Sequence, residues 1–236
     1  IGNYFQRLNN KEKQFFFFFS VFGRPVAMGA IRFVLESCGS ETNPNLDQTL
    51  QSLLRKRLIF WSVSKNELDQ HDADRAFIIT SLPTDAEGAN QNSWTVKNLF
   101  QNAALYWHSQ QVSEENWRTV TDLEAHFCEY EILLIQNNWV AAVGLVLAIS
   151  DFLLRRGYYL RLKEMLEDLH KCQMPFHERG IISRLLADTN VRLGEYEIAR
   201  SLAAVAASTA DAEGVLEERR LDSIAARQIE AKCELE

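Results

Sequence analysis

No stretch of about 18 or more uncharged apolar residues occurs in this chain, which excludes a membrane-spanning helix of ordinary length. The nearest candidate, Phe15 to Phe19, is too short and follows directly on Lys11-Glu12-Lys13. Paired cysteines are missing as well. Cys38, Cys128, Cys172 and Cys233 are scattered, without a C-x-x-C pair or the density of a secreted disulfide scaffold, so they read as thiols of a reducing cytoplasm, the expected location. There is no excess of positive charge: the formal net charge is −7 and the pI about 5.4, a field that repels phosphate backbones and anionic lipid. Nucleic acid and membrane are therefore not expected partners. His71 sits in the acidic stretch Asp69 to Asp74, and His108 and His126 lie on helical patterns with no Ser or Cys nucleophile motif, so no enzyme activity is expected. His170, Cys172 and His177 are good zinc-ligand types, but a structural site needs four ligands at tighter, paired spacing. No metal and no cofactor are expected.

What the chain does contain is a repeated turn. Gly157-Tyr158-Tyr159 and Gly194-Glu195-Tyr196 each close one amphipathic stretch and open another, and the tyrosines Tyr159 and Tyr196 stand 37 residues apart. Trp139 occupies the same aromatic position after Asn138, and Ala142 and Ala199 are small residues that let two helices approach closely. A period in the mid-thirties means stacked helix pairs, an architecture that builds a surface for another molecule rather than a catalytic site. At 236 residues with 47% hydrophobic and 24% charged, the chain can bury a sizeable core without staples. It begins at Ile1 instead of Met and its last tract, Glu213 to Glu236, stops without a terminating signal, so a longer parent protein is expected.

The organisation expected is mainly α, in two domains. Residues 1–92 carry Phe15 to Phe19 with Val21-Phe22, a helix apolar all round that others must wrap, broken by Gly23-Arg24-Pro25. A second helix has the stripe Ala27, Ile31, Val34 and Leu35 with Gly39 as a stop, and a third, opened by Asn45, carries Leu46, Leu50, Leu53 and Leu54. Leu58 to Val63 and Ala76 to Thr80 are rich in β-branched and aromatic residues, predicting a hairpin with the long tip Lys65 to Arg75. Three helices and a β-hairpin are the parts of a winged helix. After the linker Pro83 to Asn92, and from the N-cap Ser93 onward, residues 93–236 are helical in pattern, beginning with Val96, Phe100, Ala103 and Trp107. Further helices are predicted over 122–137, 139–156, 158–171, 178–193, 195–210 and 213–234, and their short connections force antiparallel pairs into an α-solenoid.

Asp122 through Leu169, with Leu123-Glu124-Ala125-His126-Phe127, Asn138-Trp139-Val140-Ala141-Ala142 and Arg156-Gly157-Tyr158-Tyr159, resembles the tetratricopeptide-type region of bacterial STAND NTPases. Leu185-Leu186-Ala187 with Leu193-Gly194-Glu195-Tyr196-Glu197-Ile198-Ala199 is similar to a single tetratricopeptide repeat. Phe19-Ser20-Val21-Phe22 with Leu50 to Leu58 resembles the winged helix that follows the NB-ARC core in those proteins. The resemblance implies a solenoid that senses a protein or peptide ligand, a winged helix that relays the event, signal transduction as the role, and a nucleotide-binding domain upstream. That domain's G-x-x-x-x-G-K-[ST] loop is absent from this chain. Where the family's winged helix ends in Met-His-Asp, this chain reads Val96-Lys97-Asn98, so Lys97 and Asn98 are the nucleotide-contact positions the resemblance points to.

Two charged features allow a bland and a functional reading. Arg55-Lys56-Arg57 closes the third helix, where cations suit the macrodipole; they could also contact the nucleotide domain absent from this chain, and in a DNA-binding winged helix the same residues would anchor phosphates, which makes a transcription regulator with a tetratricopeptide-like sensor the alternative. Arg184, Asp188 and Arg192 recur at i, i+4 and i+8 on a helix whose Ile182, Leu185 and Leu186 are assigned to the core. They form either exposed salt bridges or a pair of guanidiniums, held by Asp188, that receives acidic groups of a partner. Trp61, Trp94, Trp107, Trp117 and Trp139 are expected as core anchors. Glu213, Glu217, Glu218, Glu230 and Glu234, interleaved with Arg219, Arg220 and Lys232, are expected to form a solvated face.

Overall fold

Asn9 and Glu12 start the first long helix with a reciprocal capping box: the Glu12 N–H donates to the Asn9 side chain at 2.9 Å and the Asn9 N–H to the Glu12 carboxylate at 3.0 Å. The computed structural model describes residues 2–38, 46–80, 95–213 and 217–235. The Gly39 stop, the Asn45 start, the linker Pro83 to Asn92, Ser93 and Trp94 lie outside these residues, as do the side chains of Glu213, Glu217 and Glu218. By packing, the chain divides into two units, Ile1–Ser113 with Glu124–Ile132, and Glu114–Leu123 with Leu133–Glu236.

In the first unit, α1 (Gly2–Gln6) precedes α2 (Asn10–Ser20). Phe15, Phe16, Phe18 and Phe19 are all at most 2% exposed, as a helix apolar all round requires. Gly23, at φ 70°, turns the chain, and Val26 then makes one antiparallel bridge with Leu68. Helix α3 (Met28–Ser37) buries Ala30, Ile31 and Val34, whereas Ala27 sits ahead of it as its N-cap. Helix α4 (Leu46–Arg55) buries Leu50 and Leu53 and ends where Arg57 turns left-handed at φ 56°. The Arg57 N–H donates to the Leu54 carbonyl at 3.0 Å and the Leu58 N–H to the Leu53 carbonyl at 3.1 Å, a Schellman ending that satisfies two otherwise orphaned acceptors.

Next come β1 (Ile59–Ser62) and β2 (Glu67–Gln70), paired antiparallel from Ile59 opposite Gln70 to Ser62 opposite Glu67. The expected return strand at Ala76 to Thr80 is instead part of helix α5 (Asp72–Thr80). Two local features override the strand pattern. Asn66, at φ 56°, reverses the chain early, and Asp72 and Asp74 suit a helix N-terminus. The real β2 looks polar because only Leu68 and Gln70 face inward, Gln70 accepting a hydrogen bond from the buried Ser20 hydroxyl at 3.0 Å. Helix α6 (Val96–Ser109), capped by Thr95, packs on α3, and its Leu99, Phe100 and Ala103 join the same core as Ile132 of α7 (Glu124–Ile135).

The second unit starts with two short 3-10 turns, Glu114–Asn116 and Val120–Leu123. Its helices are α8 (Trp139–Arg155), α9 (Tyr159–Lys171), α10 (Phe176–Arg192), α11 (Tyr196–Glu213) and α12 (Glu217–Leu235). Each packs on its neighbour in sequence, and α10 also touches α8 and α12. Three elbows share one geometry. Asn137, Gly157 and Gly194 stand at φ 55°, 78° and 77°. The next N–H, from Asn138, Tyr158 or Glu195, reaches back to the carbonyl of Leu133, Leu153 or Asn190 at 3.0, 2.9 and 2.9 Å. Two residues past each left-handed residue stands the expected aromatic, Trp139, Tyr159 or Tyr196, each half-buried. Three further on, Ala142, Leu162 and Ala199 are fully buried. Among the described residues no helix is long and apolar enough to cross a membrane.

Close approach of α10 and α11 occurs at Gly180, where an added Cβ would lie 2.9 Å from Thr209 Cγ2 and 3.3 Å from its Cβ. In an ordinary helix Gly→Ala gains about 1 kcal/mol. Here Gly180→Ala is expected to destabilise by about 1–2 kcal/mol through overpacking. Thr209→Ser removes the methyl of the closer contact and keeps the hydroxyl bond to the Val205 carbonyl, so in that background the cost should fall. Denaturant melts of the four proteins of this cycle check it, and equal cost in both backgrounds would deny the contact.

Glu12 is 2% exposed and holds α2 to α4, accepting from Ser52 Oγ and Lys56 Nζ at 2.6 Å each. Burial pushes its carboxyl pKa up, but the bonds from Lys56, Ser52 and the Asn9 N–H, with the Lys56 charge, outweigh that and hold it below the usual carboxylate value. A carboxyl depressed in the folded state stabilises above its unfolded pKa, and that stability is lost as pH falls through the folded value. Glu12→Gln is therefore expected to cost about 1–3 kcal/mol at neutral pH, with the gap to the parent closing as the pH drops below about 4. A gap that stays constant in melts across that range would contradict it.

Candidate functional site

Helix α10 presents the stripe singled out by its spacing. Ile182, Leu185 and Leu186 are buried, while Arg184 and Asp188 are half-buried and Arg192 exposed. Arg192 Nε donates to Asp188 Oδ2 at 3.2 Å, one turn away, and its guanidinium lies over the Tyr159 ring, 6.0 Å from the centroid. Burial alone would lower the Arg192 pKa, but the bond to Asp188, the Asp188 charge and the Tyr159 hydroxyl raise it. The aromatic that closes one elbow thus supports the cation that ends the next helix. Beside it, Lys163 of α9 pairs with Glu195 in the following elbow and stands 3.8 Å from Glu167. The face is a network of positive and negative groups in which Arg192, planar and multidentate, is the cation best shaped for a carboxylate.

An apolar component was not anticipated from the sequence. Val140 and Leu147 on α8, Leu160 on α9, and Ile198 and Val205 on α11 are all exposed. The signal was present in α8, whose only charged residues are Asp151 and Arg155: a helix apolar all round is expected to be wrapped, and this one is not. The second unit thus exposes aliphatic side chains on three helices in addition to the charged network.

The other sequence candidates are dispersed. Lys97 is exposed and Asn98 half-buried in the first turn of α6, the Asn98 N–H donating to Thr95 Oγ1 at 3.3 Å. Of the three cations ending α4, Lys56 is committed to Glu12, whereas Arg55 and Arg57 are exposed. His108 Nδ1 lies 3.2 Å from Glu129 Oε2, and His126 is buried, its pKa lowered by burial and by His108. Cys128 lies beside Glu124 and Glu131, both paired with Arg24. Burial pushes its thiol up to about 12 despite the Arg24 charge, which makes it a poor nucleophile. His170 is half-buried and His177 exposed, and Cys172 donates to the Asp168 carbonyl. Among the described residues no three His, Cys, Asp or Glu side chains gather closely enough to hold a metal ion.

Of the tryptophans, Trp117 is buried against Phe152, and Trp107 and Trp139 are half-buried. Trp61 departs from the expected core role, being 39% exposed on β1 beside Phe60 at 44%.

No family model and no curated protein matches the sequence. Among solved structures, the chain is similar to a signal transduction ATPase with numerous domains (STAND) protein with a tetratricopeptide repeat sensor from Pyrococcus horikoshii, at 16% identity and a TM-score of 0.38. The match covers 97% of this chain and 39% of that one, so the chain spans about two fifths of that protein's length.

The stacked pair makes a measurable prediction. Arg192→Ala and Tyr159→Leu are each expected to cost about 0.5–1.5 kcal/mol, and their double mutant to cost less than the sum by about 0.5 kcal/mol or more. Additive costs in urea melts would mean that Arg192 feels only Asp188.

Proposed function

We propose that this chain is the sensing and relay part of a STAND-type signalling protein, with a winged helix in residues 1–92 and a tetratricopeptide-like solenoid in residues 93–236. The observation that carries the reading is the elbow built three times, at Asn137, Gly157 and Gly194, each with the same backbone hydrogen bond and an aromatic residue two positions on. A turn repeated with that fidelity stacks helices in register, and stacked helices offer a long docking face instead of a pocket for chemistry. The winged-helix part is supported by the order α2, Val26 bridge, α3, α4, β1, β2, in which the short bridge between the first two helices returns to the hairpin. In this reading α6 is the solenoid's first helix, although it packs with the first unit.

A protein or peptide docks on the charged and aliphatic faces of α8 to α11, Arg192 and Arg184 meeting its carboxylates. A nucleotide-binding domain elsewhere in the full-length, cytoplasmic protein supplies ATP hydrolysis, and this stretch is not itself an enzyme. The chain immobilised as bait in extract of its own host is expected to retain a specific protein. Arg184→Glu with Arg192→Glu should abolish that retention at unchanged helical circular dichroism, while Lys171→Glu should leave it intact. ATP turnover by the isolated chain, or calorimetric binding of ATP or ADP at micromolar or tighter affinity, would overturn the assignment.

A further inference from the structure

Among the described residues the small sheet ends at β1, and its register determines which backbone groups face outward. Leu68 exchanges both its N–H and its C=O with Val26, at 2.8 and 2.9 Å, so those groups point away from β1. Backbone groups alternate along a strand, so Glu67 and Asp69 are the β2 residues that bond to β1, through their partners Ser62 and Phe60. Trp61, opposite Leu68, therefore turns its own N–H and C=O to the outer edge, where no further strand pairs among the described residues.

Folded proteins usually guard such an edge with a lysine, a proline or an inward charge. Here Leu58 to Ser64 carries no charge and no proline. Phe60, Trp61 and Val63 stand 44%, 39% and 86% exposed along it. The charges lie at its two ends: Arg55 and Arg57 before β1 and Lys65 after it, all exposed, while Lys56 is engaged with Glu12. The sheet's acidic residues, Glu67 and Asp69, are on β2, on the side away from the open edge. A second copy laid antiparallel on this edge would bring Arg57 against the copy's Lys65, like charge on like charge. Nucleic acid offers no alternating row of donors and acceptors to pair with a strand edge.

We propose that the outer edge of β1 is a docking site for an extended peptide segment of a partner protein, uncharged and β-branched at its centre and acidic at both ends. The segment adds as a third strand, pairing with the backbone of Trp61, packing on Trp61 and Phe60, and placing its carboxylates at Arg55, Arg57 and Lys65. The site lies in the first unit and does not depend on the solenoid reading.

The test uses the whole chain, isotope-labelled for NMR, titrated with a synthetic peptide of alternating valine and threonine with paired aspartates at each end. Saturable amide shifts centred on Ile59, Trp61 and Val63 are expected. Methylating alternate peptide nitrogens on the pairing side should abolish them, and replacing the aspartates by lysines should weaken binding by about tenfold or more, equivalent to about 1.4 kcal/mol. Arg55→Glu with Lys65→Glu should reverse the preference between the two peptides, and Trp61→Pro, which removes only the outward N–H from the backbone, should weaken both. Unchanged binding of the methylated peptide would overturn strand addition. Absence of shifts at about 1 mM peptide, weaker than the range of specific recognition, would overturn the site. If oligothymidine shifts the same amides while the acidic peptide does not, the edge belongs to nucleic acid and the proposal fails.

Discussion

Reversing the chain at the end of a helix without leaving its last carbonyls unsatisfied is the constraint on which this structure depends. Four times the same solution appears: one residue enters the left-handed region, and the following N–H reaches back to a carbonyl of the last turn. At Gly157 and Gly194 the residue is the one that pays least for that conformation; at Asn137 and Arg57 the fold holds a side chain there at some strain. Because the reversal consumes so few residues, consecutive helices must lie antiparallel and adjacent. The half-buried aromatic and the fully buried Ala142, Leu162 or Ala199 that follow each elbow in the second unit then set how the pair packs, most closely where that residue is alanine.

The first unit solves a different problem. The half of α2 that holds five consecutive phenylalanines has no polar face, so the polar residues at its N-terminal half must carry the helix's polar obligations. Glu12 does this by serving three partners at once: the N-terminus of its own helix, a hydroxyl on α4 and the ammonium of Lys56. A carboxylate so fully hydrogen-bonded can be buried where an unpaired one could not. The same interaction removes Lys56 from the basic end of α4, so a structural need in one place subtracts a cation from a surface in another.

The reactive and the apolar side chains of the described residues are distributed differently. The nucleophile candidate with the most perturbed environment, Cys128, is held protonated by burial, and the histidines are dispersed over different elements. Against that stand aliphatic side chains facing solvent on α8, α9 and α11, an aromatic pair on an unguarded strand edge, and arginines positioned by neighbours.

Sequence by itself determined the features that arise from neighbours along the chain. The aromatic run demanded a wrapped helix, the glycine-aromatic turns set two elbows and Trp139 marked the third, and the i, i+4 spacing of Asp188 and Arg192 predicted their contact. The Asn9 and Glu12 spacing is likewise a local signal, the capping box. The return of the hairpin was harder to read, because Glu67 to Gln70 needs just Leu68 and Gln70 turned inward to be a strand, and the turn at Asn66 and the acidic helix start at Asp72 and Asp74 outweigh the strand formers of Ala76 to Thr80. Only the tertiary structure decided that Lys56 belongs to Glu12, 44 residues away, that Arg192 rests on Tyr159, and that Trp61 faces solvent. Those outcomes depend on which surfaces meet, and a local pattern encodes the preference of a segment but not the neighbour that will satisfy it.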